Sequence, residues 1–291
     1  MKQLIALLGL LFLVSSCIKN NPDPVWIEIN EWKLVANPLN DQVGELSQNL
    51  SNAWVYVDGE LVGVFELPCK IPVIYEGMKS IQVFPAIWNN GISSTKKIYP
   101  FMDYYEVSAD FVPNQTITLN PVTRYKTNVN FWVEDFELAG STIQDDVNSL
   151  AQIQIVAGSP INGPYNGNQF GRISLSTAIN SWVGYSDDPG SNQLQLPKGK
   201  EVYLEIDYHN TNRVTTGLLA VSPSGTIDNP NIQLNPQDAA TATWKKIYID
   251  LREIIAASAS GAYYQLSFQA LLDEDDTEGE INIDNIKVVY F

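Results

Sequence analysis

Apolar and polar residues alternate with a period of two through much of this chain, the pattern of strands with one buried face. Glu201–His209 puts Val202, Leu204, Ile206 and Tyr208 on one side and Glu201, Tyr203, Glu205, Asp207 and His209 on the other. In Trp244–Leu251 the inward set is Ile247, Ile249 and Leu251, and the outward set is Trp244, Lys246 and Tyr248. Tyr264–Ala270 directs Leu266, Phe268 and Ala270 inward and Gln265, Ser267 and Gln269 outward. Phe170–Ser176 directs Ile173 and Leu175 inward and Arg172, Ser174 and Ser176 outward. These runs are short and are broken by Gly, Pro, Asn and Asp. The best helix signal is a turn or two over Ile249–Ile255. Tyr and Trp are plentiful, which suits half-buried pleated surfaces. The pattern predicts an all-β protein of two β-sandwich domains.

Two segments organise the chain. Trp54–Val57 and Glu60–Val64 flank Asp58-Gly59, a strong hairpin signal because a type I′ turn needs positive φ at both central residues. Pro68, Pro72 and Gly77 follow, then the strand Ser80–Phe84. The order Val57-Asp58-Gly59, Gly63, Pro, Gly and an I-x-V strand resembles the PEGA-type β-sandwich repeat; an immunoglobulin-like or transthyretin-like sandwich is the competing reading. This first domain is expected over 25–122, with a seam at 113–126 where Asn120-Pro121 ends the strand Thr116–Leu119. The second is expected over 127–291. It opens on Glu134-Asp135-Phe136-Glu137, closes on Ile283-Asp284-Asn285-Ile286-Lys287-Val288, and carries Trp244 followed by Ile249-Asp250-Leu251. These features resemble the galactose-binding-like jelly roll of many carbohydrate-binding modules.

The amino end has its own logic. Lys2 precedes an apolar run from Leu4 to Val14, followed by Ser15-Ser16-Cys17. The run is too short for a bilayer span, which takes about 20 residues, and has the form of a secretory signal. Residues 1–17 resemble a bacterial lipoprotein signal with its lipobox. The resemblance implies lipidation of Cys17 and a membrane partner reached through the lipid anchor. Residues 18–24, with Pro22 and Pro24, read as a tether, and Ile18-Lys19 in place of an Asp after the cysteine implies the outer membrane.

Composition narrows the partners. The chain has 33 acidic and 17 basic residues, and signal removal takes away one lysine and no acid, so its net charge moves from −16 to −17. A basic face for nucleic acid is not in prospect. Cys17 and Cys69 are its two cysteines, so a lipidated Cys17 leaves Cys69 unpaired, read as a small residue packed in a strand. There is one histidine, His209, and no G-x-S-x-G elbow, zinc-ligand cluster, P-loop or dinucleotide fingerprint. A non-catalytic role is therefore expected.

The remaining chemistry points to sugars. Carboxylates, amides and guanidinium groups hydrogen-bond hydroxyls, and aromatic faces stack on pyranose rings. If the outward faces share a sheet, Tyr203, Glu205, Asp207, Trp244, Lys246, Tyr248, Arg172, Gln265 and Gln269 line a saccharide groove. Trp182 and Tyr185 either add a stacking platform or give one ring to the core. The jelly-roll resemblance also implies a structural Ca²⁺, with Glu134, Asp135, Glu137 and Asp284 as its candidates and backbone carbonyls completing the shell. The run Asp273-Glu274-Asp275-Asp276 lacks EF-hand spacing and reads as a solvated loop. The expected function is glycan binding by an outer-membrane lipoprotein; the alternative is an assembly lipoprotein whose sandwiches contact a cell-surface protein.

Overall fold

The computed structural model describes residues 22–138, 140–158, 167–187 and 193–291. The signal, Cys17 and residues 18–21 of the tether lie outside them. Strands dominate, as the alternation predicts, and one short helix is present among the described residues.

The first sandwich faces one sheet system against another. β1 (Val25–Ile29) pairs antiparallel with β5 (Cys69–Val73) and parallel with β9 (Thr116–Leu119). β2 (Lys33–Leu34) pairs in parallel with β10 (Val122–Thr123). Opposite them lie β4 (Glu60–Glu66), β3 (Asn52–Val57), β6 (Gly77–Trp88) and β7 (Lys96–Ile98), in that order, with β8 (Tyr105–Phe111) also on β6. Ile27, Val55, Val83 and Phe111 meet in the core between them. The β3–β4 turn takes φ of 48° at Asp58 and 82° at Gly59, the positive pair the Asp-Gly signal predicts. Cys69 is half-buried, and burial pushes its thiol pKa up.

The second sandwich has two sheets. One runs β13 (Gln154–Ala157), β14 (Gln169–Ser176), β21 (Glu278–Tyr290), β16 (Val202–Asn210), β19 (Lys245–Asp250). β11 (Asn130–Glu134) joins the far end of β21. The other runs β12 (Ile143–Asp145), β15 (Ser181–Ser186), β20 (Tyr263–Leu271), β17 (Val214–Ser222), β18 (Gly225–Leu234), every neighbour antiparallel. Leu204, Ile206, Ile249, Leu251, Leu266, Phe268, Ile173 and Leu175 fill the space between, each on the inward side the alternation assigns. Helix α1 (Arg252–Ala257) starts later than its sequence signal. Ile249 and Asp250 remain in β19, paired with Leu204 and Tyr203, and Asp250 Oδ1 accepts the Arg252 N–H at 3.1 Å.

The two sandwiches are packed together through the first sheet of the second one. Tyr203, Tyr248 and Val289 belong to the same buried cluster as Tyr99, Phe101 and Tyr125. This overturns the expectation that the polar side of β16 and β19 faces water. Tyr203, Glu205, Asp207, Lys246 and Tyr248 are all buried, so they form no open groove on that face; the first three have no exposed surface, and Lys246 and Tyr248 border a cleft at the junction. Period-two patterning identifies which residues share a face; it does not tell solvent from a second domain.

Candidate functional site

The buried junction shows how those residues are used. Tyr125 donates its hydroxyl to Glu205 Oε1 at 2.8 Å, and Tyr99 donates to the same oxygen. Lys246 Nζ lies 2.9 Å from Glu205 Oε2 and 3.5 Å from Asp207 Oδ1, and donates to Ser47 Oγ at 2.9 Å. Lys287 Nζ donates to the carbonyl of Glu45. Burial pushes the Glu205 carboxyl up, but Lys246, Lys287 and the Tyr99 hydroxyl outweigh it and hold it below its ordinary value. Burial works against the Lys246 charge too, and Asp207 and Glu205 overcome it and raise its pKa. Lys287 lacks an equal counterweight: burial, then Lys246, bring it down to about 8. At the rim, Lys97 reaches Glu201 Oε2 at 3.0 Å and donates to the Tyr203 hydroxyl at 2.8 Å. These carboxylates bind the protein to itself.

The outer face of the β12-β15-β20-β17-β18 sheet has the opposite character. Gln265 and Gln269 stand half-exposed on its middle strand, β20. Cross-strand pairing sets one row Gln144–Tyr185–Ser267–Gly217 and a second Val183–Gln269–Thr215–Gln233. Three inter-strand steps make each row about 14 Å long. Asp228, on β18, accepts from Ser267 Oγ at 3.0 Å and from the Gln269 amide. Gln265 Nε2 donates to the Ser186 carbonyl at 2.7 Å. A Cβ at Gly217 would fall 2.5 Å from the Asn229 carbonyl and 2.8 Å from Ser267 Oγ, so glycine leaves the Ser267–Asp228 pair its space. Burial, then Asp228 and Asp146, push the Tyr185 hydroxyl pKa up, so the ring stays neutral. A cleft of about 470 Å³ continues this face past Gln269, Thr215, Gln233 and Leu271 to Arg213 and Asp273. Arg213 Nε lies 2.8 Å from Asp273 Oδ1, which fixes the guanidinium at the cleft edge.

Of the groove residues read from sequence, then, Gln265 and Gln269 come together on an open face. Trp244 is half-buried at the edge of the other sheet, edge-to-face with Phe170 at 5.6 Å. Arg172, on β14, is half-buried and bonded to Asn282 Oδ1 at 2.9 Å, away from Gln269. Trp182 is core: fully buried, stacked near Phe268 at 6.1 Å, its Nε1 donating to Asp145 Oδ1 at 2.7 Å. Arg213, Thr215, Asp228 and Gln233 escape the sequence reading, because β17 carries a polar Thr216 inward and β18 shows no clean alternation. His209 is half-buried with Nδ1 3.2 Å from Asn282 Nδ2.

The acids expected around calcium are occupied in different ways. Glu134 accepts from the Phe136 N–H at 2.7 Å, from the Thr142 hydroxyl at 2.6 Å and from the Thr142 amide. Glu137 accepts the Gln169 N–H at 2.9 Å and the Asn168 side-chain amide at 3.1 Å. Asp135 accepts the Glu137 N–H at 3.3 Å. Asp284 is buried, with Oδ1 accepting the Asn285 N–H at 2.7 Å and Oδ2 without a partner. Among the described residues no three His, Cys, Asp or Glu side chains gather closely enough to hold a metal ion. The partnerless Asp284 oxygen fits a cation; the set of four does not close a shell around one.

No protein-family model matches the sequence, and no curated protein matches it. Solved structures show a loose likeness. One is the CBM22-1–GH10 portion of xylanase 10B from Clostridium thermocellum complexed with xylohexaose: 12% identity and TM-score 0.39, over 55% of this chain and 28% of that one. The chain thus spans under a third of that protein. Another is a carbohydrate-binding module, CBM28, specific for non-crystalline cellulose: 12% identity and TM-score 0.38, over 53% of this chain and 90% of that one. A structure described for the promiscuous specificity of carbohydrate-binding modules of the β-sandwich superfamily covers 81% of this chain and 84% of its own, at 13% identity and TM-score 0.40.

Proposed function

We propose that this protein is a lipid-anchored surface protein that binds neutral glycan on the open face of its second sandwich. One contrast carries the reading. Of the two sheets in that sandwich, one is sealed by the first domain, while the other presents amides and a carboxylate tied by hydrogen bonds and a guanidinium held in an ion pair, with the half-buried Tyr185 ring beside them. A saccharide needs hydrogen-bond partners in fixed positions and a ring to stack on, and a rigid set lowers the ordering cost of binding. Asp228, Asp146 and Asp273, on a chain of net charge −16, disfavour acidic sugars.

The test uses the whole mature chain, since isolating 127–291 would expose Glu205, Lys246 and Lys287. On a glycan array and by calorimetry, the protein should bind at least one neutral polysaccharide or oligosaccharide. Tyr185→Ala and Gln269→Ala should each weaken that binding about tenfold or more with an unchanged melting temperature. Binding to no glycan, or binding indifferent to both changes, moves the function to assembly through protein contacts.

Anchoring is tested separately. Cys17 ends a signal whose apolar run fits a cleaved leader better than a span. Cys17→Ser should move the protein from the outer-membrane fraction to the soluble fraction; persistence in the membrane removes the lipid anchor.

A further inference from the structure

A cleft of about 440 Å³ opens where the two sandwiches meet, at the edge of the covered sheet. Trp88 of β6 lines it from the first sandwich, and Trp244 and Tyr208 line it from the second, with Gln48, Asn49 and Lys245 beside them. The three rings are half-buried and Lys245 is exposed. The volume falls among small-molecule sites, about 300–1,000 Å³. The site shares no residue with the open face and belongs to the other sheet.

Its walls are held by specific bonds. The β6–β7 turn docks on β19: the Asn90 N–H donates to the Tyr248 carbonyl at 2.9 Å, and the Asp250 N–H donates to Asn90 Oδ1 at 2.8 Å. Asn49 donates its N–H to the Tyr248 hydroxyl at 2.9 Å and its side-chain amide to the Lys246 carbonyl at 3.1 Å. Trp244 is braced by Phe170, at 5.6 Å and 81°, and by His209 at 6.0 Å. The Trp244 ring is thus in place before a ligand arrives.

We propose that this junction cleft is a second carbohydrate site, taking a neutral pyranose unit of an oligosaccharide or a chain end. Two indoles and a phenol offer ring faces to the C–H faces of a sugar. The Lys245 ammonium, the Asn49 side chain and the Tyr208 hydroxyl offer hydrogen bonds to its hydroxyls. The amide and ammonium rim suits a polyol better than an apolar peptide side chain. Lys246, the other cation on the wall, is neutralised by Glu205 and Asp207, which disfavours an acidic sugar. Both sandwiches supply a wall, so the site exists only in the docked chain. The proposal is independent of binding at the open face.

The experiment is calorimetric titration of the whole mature chain with cellohexaose, xylohexaose and mannohexaose at millimolar concentrations, alongside Trp88→Ala, Lys245→Ala and Gln269→Ala. At least one hexasaccharide should bind in a step that Trp88→Ala weakens about tenfold or more and Lys245→Ala about threefold, while Gln269→Ala leaves it unchanged. Lys245 is exposed, so its variant carries the test if circular dichroism shows the Trp88 variant misfolded. Loss in Gln269→Ala alone places binding at the open face and overturns the cleft. Binding of no probe also overturns it, as does unchanged affinity in both cleft variants when folded. Lys245-dependent binding of the peptide Gly-Trp-Gly with no saccharide bound overturns it in favour of a peptide ligand.

Discussion

Asp284 is a carboxyl held where a carboxylate is least stable. It sits on the last strand at 1% exposure, one oxygen bonded to the next amide and the other to nothing. Burial first, then the field of Asp207, Glu137 and Asp135, raises its pKa to about 9, so it is protonated at neutral pH. A raised folded pKa gives stability that is complete below the unfolded value of 3.8 and lost as pH rises through the folded one. Asp284→Asn keeps the shape and removes the ionisation. Its melting temperature should gain on wild type steadily from pH 5 to pH 9 in chelator-treated buffer. The reverse trend would mean that the charged form is used, and a calcium-dependent rise confined to wild type would assign that use to a cation. Trp182 and Tyr185 illustrate the same scale differently. They stand three positions apart on one strand, so the pleat sends one to the core and the other to the open face. The spacing alone requires opposite sides; the choice between them follows from Asp145, which accepts the indole N–H on the inner side.

At the scale of elements, β16 and β19 explain where the sequence reading stopped. Both carry the predicted alternation, and both bury their two faces, one on the sandwich core and one on the first domain. β19 is also an edge strand, and such an edge invites pairing with other chains. The β6–β7 turn covers it, with Asn89 bridged to Tyr248 and Asn90, at φ 57°, supplying two of the bonds. Asn90→Ala removes the side-chain acceptor of the Asp250 N–H and disfavours the left-handed backbone. It should cost about 1–2 kcal/mol in urea unfolding and raise hydrogen exchange at the Asp250 amide. Unchanged exchange there would mean the turn does not protect the edge. The open sheet keeps Gln265 and Gln269 half-exposed on the outward side the alternation assigns, while Ser267 on the same side is buried against Asp228.

For the whole molecule, the decisive feature is a junction built from charge as well as apolar rings. Removing one partner of a buried ion pair leaves the other without compensation, at a cost of about 3–5 kcal/mol. Lys246→Met leaves Glu205 and Asp207 facing each other at the seam. Its denaturant midpoint should fall by that order, and scattering should report a larger radius of gyration as the sandwiches separate. A folded, compact variant of unchanged stability would show that the ion pairs are dispensable to docking. Glu205 supplies the matching pH dependence. Its folded pKa lies below 4.5, so its contribution is present above that value and lost as pH falls through the lowered one. Acidification should therefore loosen the junction.

By itself the sequence determined the alternating strands, the inward faces of the second core and the Asp-Gly turn. Each depends on residues close together in the chain, where a period of two or a positive φ is a local requirement. Only the tertiary structure decided which polar faces stay wet. Glu205 and Gln269 sit in equivalent patterns, but one is sealed against Tyr99 and Tyr125 and the other is open. That difference is set by contacts across about 80 to 106 residues, which no local pattern encodes.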